Sequence, residues 1–275
     1  MRKMVIERYN GSEWLIKELR ELINRKFSDL FVAVVVHGSV ASDEIVSYSD
    51  FDGFLVVKDK WIGTKELALF KNESMRIILR FDPIQHHGWF EIKESDLTCY
   101  PEDYLPSIIL KYSKLIFPSG SNLELNISLK ENPDFNKILI PMLNQFERRI
   151  RNNWTPKNMF QLKSFMSQVM LVPSLYYSAI ENKAILKRDS FDAVRTHFSK
   201  EEWSPITVAT QIRNDWKYKL NPVQKIILNR PEKFFRQLTK KYFAPKVNSN
   251  FRSRLDDKFF ENLGQLISKI KEDIK

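Results

Sequence analysis

The stretch HGSVASDEIVSYSDFDGF, residues 37–54, decides how this chain is read. It follows DLFVAVVV, a β-branched run too short for a helix, so a buried strand closed by a turn at Gly38-Ser39 is predicted. Ten residues separate that turn from Asp50-Phe51-Asp52, which heads the apolar run FLVV. A second strand is predicted over 51–59. Side chains alternate along a strand, which sends Asp50 and Asp52 to one side, roughly 6–7 Å apart, with Phe51 opposite. Like charges so placed are unfavourable unless a cation sits over them, and Mg2+ prefers such hard oxygen ligands. A solvated strand entrance is the plainer alternative. The glycine-small pair tips the balance, because it lets backbone N–H groups approach a phosphate.

Outward from this stretch, EWLIKELRELINRKF (13–27) places Trp14, Leu15, Leu19, Leu22 and Ile23 on one helical stripe. SMRIILRFD (74–82) is predicted to be a third strand stopped by Pro83, and GWFEIK (88–93) a fourth. Residues 102–117 read as largely helical. Beyond PSGSN (118–122) the pattern is helical throughout: 134–152, 157–182, 189–198, 201–214, 222–242 and 256–274, with Pro173 a point where the second of these is expected to kink or split. The expected class is α+β, with a mixed sheet and packed helices over 1–125 and an all-α domain over 126–275.

Gly38-Ser39, ten residues, then Asp50-Phe51-Asp52 resembles the signature of the polymerase β-like nucleotidyltransferase superfamily, an apolar strand, G-[GS], a spacer and D-x-[DE] opening the next strand. Ser49 also matches many members. The resemblance is good over about residues 30–95 and covers only general layout beyond. Gly53 departs from it, standing where an apolar residue usually follows the second acid, and Val40-Ala41-Ser42 lack the usual arginine. It implies a magnesium-dependent nucleotidyltransferase that uses a nucleoside triphosphate such as ATP, with Asp50 and Asp52 as metal ligands and Gly38 and Ser39 on the triphosphate. A third carboxylate is implied on a neighbouring strand to complete a site for two Mg2+ ions. Asp82 is the first choice and Glu91 the alternative. Lys187, at the head of a predicted helix capped by Asp189 or Ser190, is a candidate nucleotide contact, with a solvated cap the plain alternative.

QHHG holds two of the chain's 4 histidines, His86 and His87. If the segment is extended, they face opposite ways and at most one meets the carboxylates, as a substrate-side group. Shaping a turn is the plainer role.

The net charge of +10 is uneven: 16 Lys+Arg against 19 Asp+Glu over 1–125, then 28 against 15 over 126–275. From Lys217 to Lys258 there are 12 basic and 3 acidic residues, interleaved with Tyr218, Phe234, Phe235, Tyr242, Phe243 and Phe251. That half is a candidate RNA contact, although an amphipathic helix burying its aromatics explains the same spacing. No apolar run approaches the roughly 20 residues of a bilayer span, and the N-terminus turns polar too soon for a signal peptide. One cysteine, Cys99, excludes an internal disulfide, and no Cys/His spacing suggests zinc. A cytoplasmic protein without a membrane partner is expected. Its acceptor, whether small molecule, protein or RNA, stays open. So do two other readings, a nucleotide-sensing or nucleic-acid-binding module that keeps the fold, and a toxin-like enzyme acting on transfer RNA.

Overall fold

A computed structural model describes residues 2–275, excluding the side chains of residues 233–237. The predicted aromatics Phe234 and Phe235 therefore lie outside the described side chains. Among the described residues, β1 (Arg2–Arg8), β2 (Phe31–His37), β3 (Asp52–Val57), β4 (Phe90–Lys93), β5 (Lys114–Phe117) and β6 (Leu123–Ile127) form one sheet. Its order is β4-β3-β2-β5-β1-β6. The β3–β4 and β1–β5 pairs are parallel; β2–β3, β2–β5 and β1–β6 are antiparallel. The chain is α+β, as its residue pattern predicts.

Strand β2 forms because Val34, Val35 and Val36 are all fully buried, which only a strand covered on both faces provides. Fully burying each valine stabilises by about 1.5–3 kcal/mol. Its last residue, His37, pairs with Asp52, the first residue of β3. That register sets the turn at Gly38 beside the second aspartate.

Helix α1 (Trp14–Leu22) buries Leu15, Ile16, Leu19 and Leu22. Trp14 is the exception to the predicted stripe; it is 40% exposed and lies under the guanidinium of Arg80. A four-residue helical turn, α2 (Gly38–Ala41), follows β2. The strand predicted over 74–82 is instead the second half of a helix, α3 (Lys65–Phe81). Thr64 caps it by accepting from Leu67 N, and Leu67, Phe70, Met75, Ile78 and Leu79 are buried at helical spacing. A local run of Ile77, Ile78 and Leu79 looks like a strand only when those earlier turns are overlooked. The helix predicted over 102–117 reduces to α4 (Ser107–Lys111), followed by β5.

The later helices are α5 (Asn136–Arg151), α6 (Met159–Glu181), α7 (Lys187–Val194), α8 (Lys200–Asn214), α9 (Pro222–Leu228), α10 (Lys233–Phe243), α11 (Ser249–Ser253) and α12 (Asp257–Asp273). Helix α6 runs unbroken through Pro173. The single helix predicted over 222–242 is two, α9 and α10, separated around Pro231, which cannot donate to a continuing helix. Helix α7 is capped at Leu186 without a side-chain hydrogen bond, so neither Asp189 nor Ser190 caps it.

Two units divide the chain. The first comprises residues up to Pro101, Ile109–Lys130 and Lys219–Ala244; the second comprises Glu102–Ile108, Glu131–Tyr218 and Pro245–Lys275. A cut at 125/126 differs from this in three places: Glu102–Ile108 falls in the second unit, while residues 126–130 and Lys219–Ala244, which carries α9 and α10, fall in the sheet-bearing unit. In the second unit α12 packs on α8 and α5, and α6 on α5, α7 and α8. Among the described residues no helix is long and apolar enough to cross a membrane.

Candidate functional site

Gly38 adopts φ +67°, in the left-handed region that glycine tolerates best. A Cβ at this position would stand 2.6 Å from Asp52 Oδ2, so glycine is required on two counts. The Asp52 carboxylate lies against the turn, in the space a side chain at 38 would need. Ser39 follows within α2 and its carbonyl accepts from Glu44 N at 2.9 Å.

Asp50 precedes β3 and Asp52 opens it. The backbone between them is gripped from the side. Phe51 N donates to Gln85 Oε1 at 3.0 Å, and Gln85 Nε2 donates to Phe51 O at 2.8 Å. Gln85 is only 2% exposed. This two-way amide clamp locks the loop after α3 against the aspartate pair, in the manner of one more rung of sheet. Trp89 holds the loop's other end, donating from Nε1 to Ser74 Oγ at 2.9 Å and packing edge-on against Phe51 at 5.0 Å. A Cβ on Gly53 would collide with the Trp89 and Phe51 rings. The departure at Gly53 thus makes room for Trp89.

Both histidines of the loop reach the carboxylates, which corrects the expectation that at most one would. His86 Nδ1 lies 3.2 Å from Asp50 Oδ2, and His87 Nε2 lies 3.3 Å from the same oxygen and 3.0 Å from Asp52 Oδ1. Strand alternation does not apply, because residues 82–89 form no strand. The two aspartates meet at His87 Nε2. Burial works against charge on His87, but hydrogen bonds to Asp50 and Asp52 and their Coulombic pull prevail and raise its pKa to about 10. His37 behaves oppositely: burial lowers it, against the pull of Asp52. Its Nε2 is buried without a hydrogen-bond partner among the described residues. The site thus concentrates positive charge at one point, between the carboxylates.

Asp82 is buried at the C-terminal cap of α3, and its Oδ1 accepts from Ile84 N at 3.2 Å. Glu91, on β4 beside Leu55, pairs with Lys71 at 2.5 Å. Among the described residues, the group able to hold a metal is Asp50, His86 and His87, with ligand atoms all within 4.8 Å of one another; neither Asp82 nor Glu91 belongs to it.

No protein-family model matches the chain, and no curated protein matches it. Among solved structures, spectinomycin adenyltransferase AAD(9) from Enterococcus faecialis, with ATP and spectinomycin, is similar at a TM-score of 0.41 and 13% identity. The match covers 81% of this chain and 100% of that one. A likeness of this size bears on neither activity nor substrate.

Lys187 opens α7 in the second unit, where its carbonyl accepts from Ser190 Oγ at 2.7 Å. In the basic segment, Phe251 is buried and stacks at 5.8 Å on Trp216, which lies just before the segment, so Phe251 offers no face to a base. Tyr242 and Phe243 are exposed.

Two residues escaped the sequence reading. Gln85 was visible only as part of QHHG, and nothing in its neighbours announces an amide clamp. Lys240, 1% exposed on α10, donates from Nζ to the carbonyl of Gln85 and so ties a segment 155 residues away to the same loop.

Proposed function

We propose that this chain is a metal-dependent nucleotidyltransferase that moves a nucleoside monophosphate from a nucleoside triphosphate to an acceptor. One observation carries the reading: a left-handed glycine turn in contact with Asp52, whose carboxylate converges with that of Asp50. In this reading the backbone at Gly38 and Ser39 holds the triphosphate, and Asp50 and Asp52 hold the cation. The acceptor's oxygen bonds to the α-phosphorus as the bond to the departing pyrophosphate breaks. A bound divalent cation would neutralise phosphate charge and lower the barrier to that displacement.

Two carboxylates fit one such ion. The set for two Mg2+ ions also needs a third carboxylate, and here imidazoles stand by the pair while Asp82 and Glu91 are engaged elsewhere. That engagement favours a second reading, a nucleotide-binding module without turnover. Lys187 as a nucleotide contact and the basic segment as an RNA contact rest on the resemblance and the charge alone. A small molecule, a protein side chain and an RNA end all remain acceptors to test.

The test is calorimetric titration of the full chain with ATP, GTP, CTP and UTP in the presence of Mg2+ or Mn2+, followed by pyrophosphate release against an acceptor panel. Binding that Asp52→Asn abolishes, with pyrophosphate release, supports transfer. Binding without release supports the module. Absence of triphosphate binding under every metal sinks both.

A further inference from the structure

We propose that the seat beside Gly38 selects a borderline first-row divalent ion of the Zn2+ class, held by Asp50 Oδ2, His86 Nδ1 and His87 Nε2, rather than Mg2+. The inference deepens the proposed function by naming the cation of that site, and it rests on that reading only in taking the seat to be a cation site.

Three observations carry it. The first is donor chemistry. Mg2+ takes oxygen ligands and keeps its waters, whereas imidazole nitrogen suits Zn2+ and its first-row neighbours. Two of the three converging ligands are imidazoles.

The second is spacing. Tetrahedral Zn2+ with arms of about 2.0–2.1 Å places its ligand atoms about 3.3–3.4 Å from one another. His86 Nδ1 and His87 Nε2 stand 3.2 and 3.3 Å from Asp50 Oδ2. Charge-assisted hydrogen bonds would be shorter, about 2.7–2.9 Å. Asp52 Oδ1, at 3.0 Å from His87 Nε2, is placed to supply a fourth ligand or to accept from a bound water.

The third is orientation of the ring. His87 Nδ1 lies 3.0 Å from the carbonyl of Gly88 and 3.3 Å from Gln85 Nε2, so this nitrogen is engaged by the loop itself. With Nδ1 engaged there, Nε2 faces the carboxylates. Metal-ligating histidines are characteristically fixed in this way by a carbonyl on the opposite nitrogen. Without a metal, a proton on Nε2 is what lies between the two carboxylates, and a bound metal ion would displace that proton and take its place. No Cys/His spacing announces such a site, because its ligands come from a loop and a strand entrance 36 residues apart.

The experiment uses the full chain stripped with a chelator and no nucleotide. Zn2+, Mn2+ and Mg2+ are each titrated calorimetrically, with bound metal counted by mass spectrometry. One Zn2+ per chain is expected, held on the order of 100-fold or more tighter than Mg2+. Co2+ as a probe should show the intense visible absorption of a four-coordinate site, and Mn2+ should show nitrogen coupling in pulsed paramagnetic resonance. These spectra need no variant, so they stand even where a substitution unfolds the protein. His86→Gln and His87→Gln should each weaken Zn2+ by about 10-fold or more and remove nitrogen coupling in part. Equal affinity for Mg2+ and Zn2+, or Mn2+ spectra without nitrogen, overturns the proposal. Zn2+ bound in this way by a chain that binds no triphosphate would overturn the proposed function and leave this inference standing. Triphosphate binding with an oxygen-only cation would do the reverse.

Discussion

Replacing Gln85 by leucine isolates the clamp on which the convergence of aspartates and histidines depends. Leucine fills nearly the same volume but can neither donate to Phe51 O nor accept from Phe51 N, two contacts of 2.8 and 3.0 Å. The site is dry, since Gln85 is 2% exposed and Phe51 equally so. Two buried backbone groups lose their partner at about 1–3 kcal/mol each, and greater apolar burial by leucine returns about 1 kcal/mol. Net destabilisation should be about 1–5 kcal/mol. For a chain of this size that lowers Tm by roughly 2–20 °C. Urea unfolding followed by circular dichroism reads the first quantity and calorimetry the second. Gln85→Glu sharpens the test, because a carboxylate accepts from Phe51 N but repels Phe51 O. Burial raises the pKa of such a carboxyl, so this variant should regain stability as pH falls and the protonated group donates again. A Gln85→Leu protein within 1 kcal/mol of wild type, or a Gln85→Glu protein without that recovery, would refute the clamp.

Three further perturbations follow from the geometry. Gly38→Ala forces a side chain into φ +67° and against Asp52 Oδ2, so it should cost about 1–3 kcal/mol and weaken divalent-cation binding in titration; unchanged cation affinity would contradict the contact. Gly53→Ala drives a methyl into the Trp89 and Phe51 rings and should destabilise by about 1–3 kcal/mol in urea unfolding, with a shifted tryptophan emission as Trp89 moves. In the second unit, burial raises the Asp273 carboxyl, but hydrogen bonds from Lys269 and Tyr176 outweigh it and hold its pKa below the ordinary 3.8. A folded value below the unfolded one contributes stability that is present above about 3.8 and lost as pH falls through the folded value. Asp273→Asn should therefore flatten stability against pH on the acid side, measured by unfolding between pH 2 and 5.

What the sequence makes legible is whatever a strong local pattern dictates. The valine run before Gly38 admits one conformation, and Asp50-Phe51-Asp52 follows at a spacing that a turn between strands explains. The periodic helices of the second unit are equally plain. Strands β1 and β6 also carry an alternating signal, in buried Met4 and Ile6 and in buried Leu125 and Ile127. Both are short and amphipathic with charged outer residues, so a search for apolar runs passes over them. Residues 74–82 failed for the opposite reason: a dense apolar run fits strand and helix alike, and only the cap at Thr64 and the spacing from Leu67 decide it. The histidine loop was beyond local reading. Its direction is set by Gln85 reaching Phe51, 34 residues earlier, and by Lys240 reaching Gln85 from the far end of the chain.

The long-range ties explain why the aspartate pair tolerates its own repulsion. Strand geometry alone would leave two carboxylates side by side, at a cost that rises as water is excluded. Here the neutralising nitrogens are delivered by a separate loop, and that loop is held by an amide, an indole and a buried lysine as well as by its contacts to the carboxylates. Rigid support from outside is what keeps ligands in place when the charge between them changes, whether a proton or a metal ion occupies the seat. A site that merely collapsed around its charges would not need Gln85 turned inward to Phe51, nor a glycine at 53 to admit Trp89.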